Sequence, residues 1–266
     1  MADTANARNA HGAFIWYELM TTDADAAAAF YGDVLGWSCR PFEPDDAGGY
    51  RLFSTGETEV AGLMVLPPEG DCPGGAPGWI GYIGVDDVDA AAADLAADGA
   101  SELVPPTDIP GVGRFAVIAD PQGAVFTIMR GATEGESRAF SPHGIGHCQW
   151  NELSTADPQA ALAFYGRHFG WEKGETMPMG EMGDYQMLDL GGHSFGAVMR
   201  ATPQQPQPGW LFYFGVADID AATRKATAGG GAVLHGPAEI PGGDFIVVAD
   251  DPQGARFALV GPRKAG

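Results

Sequence analysis

The chain has 266 residues, 45% of them hydrophobic, enough for roughly two domains with a full core. Its formal charge of -21, from 35 acidic against 14 basic residues, repels phosphate backbones and anionic lipid, so neither a nucleic-acid nor a membrane partner is expected. The three cysteines, Cys39, Cys72 and Cys148, are too few and too scattered for a disulfide framework or a Cys-x-x-Cys metal knuckle, and they fit a reducing compartment.

Residues 1–11 are small and polar, and no apolar run in the chain is long enough to span a bilayer, so a flexible leader on a cytoplasmic protein is expected. From Phe14 to Leu19 the pattern alternates and is rich in aromatics, which predicts a strand with Phe14, Trp16 and Glu18 on one face. A glutamate sharing that face with tryptophan is the first oddity. Asp23 then suits a helix N-cap, Ala26 to Ala29 favour helix, Phe30 and Val34 lie one turn apart, and Gly36 supplies a left-handed stop. Strands are predicted around 37–42, 50–54 and 60–66, separated by Pro/Asp/Gly clusters at 43–49 and 67–78.

The pattern restarts at Trp79 with a strand to Val85. Asp87 and Asp89 open an Ala-rich helix that Gly99 ends, and strands follow at 102–104, 114–119 and 124–129. The turn Asp120-Pro121-Gln122-Gly123 joins the last two. A polar stretch at 131–146, containing Pro142, reads as a linker between a domain at 12–130 and a second at 147–264. The second domain writes the first again: Trp150 answers Trp16, Glu152 answers Glu18, Asp157 answers Asp23, and Phe164-Tyr165 answers Phe30-Tyr31. Trp171 likewise answers Trp37, Tyr185 answers Tyr50, Trp210 and Tyr213 answer Trp79 and Tyr82, and Asp251 to Gly254 answers Asp120 to Gly123. Four copies of one strand-helix-strand-strand-strand repeat make up the chain.

The repeated Phe-Tyr helix ending in Gly-Trp, the Val-x-Asp-hydrophobic-Asp helix starts at Val85 and Val216, and the two Asp-Pro-Gln-Gly turns resemble the vicinal oxygen chelate superfamily. That superfamily includes glyoxalase I, extradiol dioxygenases and bleomycin resistance proteins, and the likeness covers nearly everything outside leader and linker. It implies an α+β fold of tandem glyoxalase-like domains, in which four βαβββ units form two open, U-shaped mixed β-sheet cups that hold a ligand. Metal-using members that the chain resembles carry a His or Gln on the first strand, a His on the first strand of the second unit and a Glu on the last strand. Those positions are here Trp16 and Trp150, Ile80 and Leu211, and Thr127 and Ala258. Indole, alkyl and methyl groups offer a divalent cation no useful lone pair, so no metal and no cofactor is expected. A divalent metal held by an unconventional set is the alternative.

The cups that the resemblance implies would place Trp16, Glu18, Tyr82, Thr127, Trp150, Glu152 and Tyr213 against a ligand. An aromatic wall with one carboxylate suits a flat or cationic organic molecule. A carboxylate in an apolar cup could instead act as general base or acid, which makes Glu18 and Glu152 the catalytic candidates. In a plainer reading the tryptophans fill the cups and each glutamate is bonded to a tyrosine hydroxyl or a backbone amide. Phe30, Tyr31, Phe164 and Tyr165 read as helix core. The six histidines, His11, His143, His147, His168, His193 and His235, show no helical pairing or repeat relation and read as surface residues. Three classes stay open: a small-molecule binding protein, a glyoxalase-type lyase, isomerase or dioxygenase, and an interaction protein with filled cups. Tandem domains supply within one chain the pairing that single-domain relatives obtain by dimerising, so a monomer or a homodimer is expected.

Overall fold

A computed structural model describes residues 8–42, 49–66, 75–202 and 206–264. Cys72 and most of the turn clusters at 43–49 and 67–78 lie outside the described residues. The first repeat runs β1 (Phe14–Thr21), α1 (Ala24–Leu35), β2 (Ser38–Pro41), β3 (Arg51–Thr55) and β4 (Thr58–Val65). The second is β5 (Gly78–Gly84), α2 (Val88–Ala97), β6 (Ser101–Ile109), β7 (Gly113–Ala119) and β8 (Val125–Gly131). The third is β9 (Cys148–Thr155), α3 (Pro158–Phe169), β10 (Glu172–Pro178), β11 (Asp184–Leu190) and β12 (His193–Arg200). The fourth is β13 (Gly209–Gly215), α4 (Ile219–Ala228), β14 (Ala232–Glu239), β15 (Phe245–Asp250) and β16 (Arg256–Gly261).

The strands form two eight-stranded mixed sheets, ordered β2-β3-β4-β1-β5-β8-β7-β6 and β10-β11-β12-β9-β13-β16-β15-β14, and neither closes into a barrel. In every repeat the first strand pairs parallel with the last, as β1 does with β4 and β13 with β16, while the hairpins are antiparallel. The α+β architecture of four βαβββ units expected from the sequence is therefore the one found. No helix among the described residues is long and apolar enough to cross a membrane.

Local chemistry explains where the helices begin and end. The Asp23 carboxylate accepts from the amides of Asp25 and Ala26, and Asp157 accepts in the same way from Gln159 and Ala160. Both helices stop at a glycine with left-handed backbone, Gly36 at φ 72 and Gly170 at φ 69. The tryptophan that follows is tied down by its indole N–H, Trp37 to the Gly146 carbonyl at 2.7 Å and Trp171 to the Gly12 carbonyl at 2.8 Å. Strand β6 runs well past the predicted 102–104, because Pro105 and Pro106 sit on a sheet edge, where a missing N–H breaks no ladder. Its pairing with β7 shifts register on both sides of Val104.

The chain divides into two compact units, each drawing on both halves of the sequence. One comprises Met1–Ile15, Gly81–Ser137 and Asn151–Trp210, and so holds most of repeats two and three; the other comprises Trp16–Ile80, Arg138–Trp150 and Leu211–Gly266, with repeats one and four. In the unit of repeats one and four, the buried Tyr31 hydroxyl donates to Asp251 Oδ2 at 3.1 Å and accepts from Trp79 Nε1 at 2.9 Å. The other Asp251 oxygen takes the amides of Gln253 and Ala255 and so shapes the Asp-Pro-Gln-Gly turn. Phe30 and Tyr31 meet Phe257 with ring centroids 5.8 and 5.4 Å apart. The unit of repeats two and three repeats this arrangement, with the Tyr165 hydroxyl donating to Asp120 Oδ2 at 3.0 Å and Asp120 Oδ1 accepting from Gln122 and Ala124. Phe126 packs there on Tyr165 and Phe169. Phe30, Tyr31, Phe164 and Tyr165 are core residues, as expected.

Replacing Tyr31 or Tyr165 by Phe leaves a buried carboxylate oxygen without its donor. Each change should lower stability by about 1–3 kcal/mol, read from chemical denaturation. A loss below a few tenths of a kcal/mol in both would show that these bonds do not hold the units together.

Candidate functional site

Strand β1 points alternate side chains to opposite faces. Tyr17 and Leu19 are fully buried, while Trp16, on the other face, is half-buried and shares it with Glu18, which is 7% exposed. The Trp16 indole N–H donates to the Tyr50 hydroxyl oxygen at 3.1 Å, and the Tyr50 hydroxyl in turn donates to the Glu18 carboxylate. Burial, and after it the negative charge of Glu18, pushes the Tyr50 hydroxyl well above the usual tyrosine range, so it keeps its proton.

Tyr50 reaches this position because β4 carries no side chain beneath it. Gly62 is the register partner of Glu18, and a Cβ there would lie 1.8 Å from the Tyr50 hydroxyl oxygen and 3.1 Å from Trp16 Nε1. Glycine, tyrosine, tryptophan and glutamate therefore form one packed group.

In the third repeat, Tyr185 donates to Glu152 Oε2 at 2.8 Å, and Glu152 is 8% exposed. Trp150 packs instead within the unit of repeats one and four, against Leu211, Tyr213, Ala258 and Val260, with Ile240, Ile246 and Val248 around them. Tyr82 stands beside Thr127 in the parallel pairing of β5 and β8, as Tyr213 stands beside Ala258 in that of β13 and β16. Thr127 is fully buried, and its hydroxyl has no hydrogen-bond partner among the described residues.

Of the seven sequence-predicted residues, then, Trp16 and Glu18 are brought together through Tyr50, Trp150 and Tyr213 share an apolar cluster, and Tyr82 neighbours Thr127. Trp150 and Glu152 fall in different compact units, as do Trp16 and Tyr82. Tyr50 and Tyr185 were not among the predicted site residues, although the signal was present: the two halves carry a tyrosine at corresponding positions, just before β3 and near the start of β11. Among the described residues no group of three or more His, Cys, Asp or Glu side chains is placed to hold a metal ion.

One histidine departs from the surface reading. His168 has only 11% of its side chain exposed, because the end of α3 packs on the end of α2, where its Nε2 lies 3.0 Å from Asp98 Oδ2. That hydrogen bond, aided by the Arg167 charge, holds the Asp98 carboxyl below the usual range. Cys148 is buried, which pushes its thiol up to about 12 and makes it a poor nucleophile.

A family model described as Glyoxalase/Bleomycin resistance protein/Dioxygenase superfamily matches residues 13–128 and again 144–259. Among curated proteins, "Putative glyoxylase CFP32" of Mycobacterium tuberculosis is 35% identical over 252 residues, covering 93% of this chain and 94% of its own. "Anthracycline biosynthesis protein DnrV" of Streptomyces peucetius is 33% identical over 270 residues, covering 95% and 94%. Among solved structures that share the fold, the 2,3-dioxygenase LapB from Pseudomonas sp. KL28 superposes with a TM-score of 0.64 at 16% identity, covering 98% of this chain and 96% of that one. The Mn(II)-bound glyoxalase from Novosphingobium aromaticivorans does so with 0.62 at 19% identity, covering 95% and 82%.

Tyr31, Tyr50 and Tyr165 are all raised, first by burial, so the folded chain keeps protons that the unfolded chain releases near pH 10. Their contribution is intact below pH 10 and is lost as pH rises beyond it. Unfolding free energy measured from pH 9 to 11.5 should fall less steeply in Tyr50→Phe than in wild type; equal slopes would count against the burial of this hydroxyl. Gly62→Ala should displace Tyr50 and shift the Trp16 indole N–H resonance, and an unmoved resonance would contradict the packing described.

Proposed function

Because the chain belongs to the Glyoxalase/Bleomycin resistance protein/Dioxygenase superfamily, we propose that it is a metal-independent protein that binds a small aromatic or cationic organic molecule. The residues assigned to ligand contact are Trp16, Glu18, Trp150 and Tyr213 in one compact unit and Tyr82, Thr127 and Glu152 in the other, each unit being read by itself. The carrying observation is the chain of hydrogen bonds from Trp16 through Tyr50 to Glu18. It holds an aromatic face beside a carboxylate, and those two groups together attract a flat ring and fix the orientation of a positive or hydrogen-bond-donating group.

The donor chemistry at the positions where the resemblance expects metal ligands does not suit a divalent cation. Ile80, Leu211 and Ala258 offer no donor atom, the Trp16 nitrogen is spent as an N–H donor to Tyr50, and Thr127 contributes one neutral hydroxyl. The Streptomyces relative, named for anthracycline biosynthesis, supports an organic small molecule as the ligand class. The protein acts in the cytoplasm in this reading, as a monomer or a homodimer.

A second reading, an enzyme of glyoxalase or dioxygenase type with Glu18 or Glu152 as general base, is favoured by the pairing of each buried carboxylate with a tyrosine hydroxyl that holds it in place. The mycobacterial relative named a glyoxylase points the same way.

Equilibrium dialysis against a library of cationic aromatic compounds tests the first reading. Glu18→Gln or Glu152→Gln should weaken binding by roughly tenfold to a hundredfold, the worth of one hydrogen bond to a charged group. No bound compound, or indifference to both changes, defeats it. Elemental analysis of the purified protein separates the two readings further: stoichiometric nickel, zinc, iron or manganese would favour the enzyme.

A further inference from the structure

The second and fourth repeats carry nearly identical rows across three strands. In one, Thr127 of β8 has Tyr82 of β5 on one side and Val117 of β7 on the other. In its counterpart, Ala258 of β16 lies between Tyr213 of β13 and Val248 of β15. Tyrosine and valine are common to both, and the residue between them is the difference.

In the fourth repeat that residue is apolar and belongs to an apolar cluster with Leu211 and Tyr213, against which Trp150 packs. The second repeat places a hydroxyl at the same point, fully buried and without a partner among the described residues. Phe126, the neighbour of Thr127, turns toward Tyr165 and Phe169, so Thr127 lies on the opposite face of β8, which it shares with Val125 and Met129. Val125, at the end of that face, is 38% exposed.

A buried hydroxyl left unpaired is unfavourable and uncommon, and valine would fill the same volume without the polar atom. A partner from outside the described residues, a water or a ligand oxygen, would satisfy it. We propose that Thr127 determines specificity for an aromatic ligand bearing a carbonyl or phenolic oxygen, which hydrogen-bonds to its hydroxyl on the face of the second repeat. The face of the fourth repeat, with Ala258, makes no such selection. The inference rests on the organic-ligand reading above and narrows it from aromatic or cationic compounds to oxygen-bearing aromatics.

The test uses two probes of nearly equal shape, 2-naphthol and 2-methylnaphthalene, in equilibrium dialysis against the full chain. Wild type should bind 2-naphthol about tenfold tighter, the worth of one hydrogen bond. Thr127→Val should remove that preference and Thr127→Ser should keep it. The melting temperature of Thr127→Val without ligand should match or exceed that of wild type, since no internal bond is lost. Equal binding of the two probes by wild type, or a preference that survives in Thr127→Val, overturns this inference and leaves the organic-ligand reading standing. A melting temperature lowered by several degrees in Thr127→Val also overturns it, because the hydroxyl would then have a partner within the protein. If wild type binds neither probe, the inference fails, and the dialysis against cationic aromatic compounds decides the reading beneath it.

Discussion

The hydrogen bond from a buried tyrosine to a buried aspartate, made twice, is what the rest of the structure depends on. Asp251 and Asp120 are each costly to bury, and burial pushes the Asp251 carboxyl upward. Each is tolerated because one oxygen shapes its own turn while the other accepts a hydrogen bond from a tyrosine hydroxyl on a distant helix. A local turn motif is thereby joined to a helix that belongs to another repeat. The surrounding aromatic rings add area and shape, but the polar pair fixes which helix meets which turn.

The same device reappears in smaller form at the candidate site. Glu18 and Glu152 are also buried, and each accepts a hydrogen bond from a tyrosine hydroxyl, Tyr50 or Tyr185. In the first repeat the arrangement is tightened by Trp16 and by the missing side chain of Gly62. The repeats are thus alike in their carboxylate and tyrosine but unlike in what lies around them. A duplicated scaffold has kept its structural bonds while its exposed and half-buried faces have diverged.

Much of the fold was legible because its signals are local. Asp23, the alanines after it and Gly36 state a helix with both ends marked, and the repetition of Trp37 as Trp171 and of Asp120 as Asp251 states the internal symmetry. The length of β6 was not legible, since a Pro-Pro pair reads as a break unless the strand is known to be an edge. His168 was missed because the partner that buries it, Asp98, is 70 residues away in sequence. At the candidate site, Trp16 and Glu18 stand out as an odd pair on one face, whereas Tyr50 does not. Its role follows from lying over Gly62, and contact between non-neighbouring strands leaves no periodicity to read. The unpaired hydroxyl of Thr127 is a property of surroundings and not of residue type.

The interleaving of the two halves sets an order of assembly. Tyr165 and Asp120 are separated by 45 residues, so the unit of repeats two and three can close while the chain is still emerging from the ribosome. Tyr31 and Asp251 are 220 residues apart, and the first repeat has to wait, with its aromatic helix uncovered, until the fourth repeat has been made. The newborn amino-terminal segment is therefore the stretch most in need of chaperone cover, and the strong negative charge of the chain is a safeguard against its self-association during that interval.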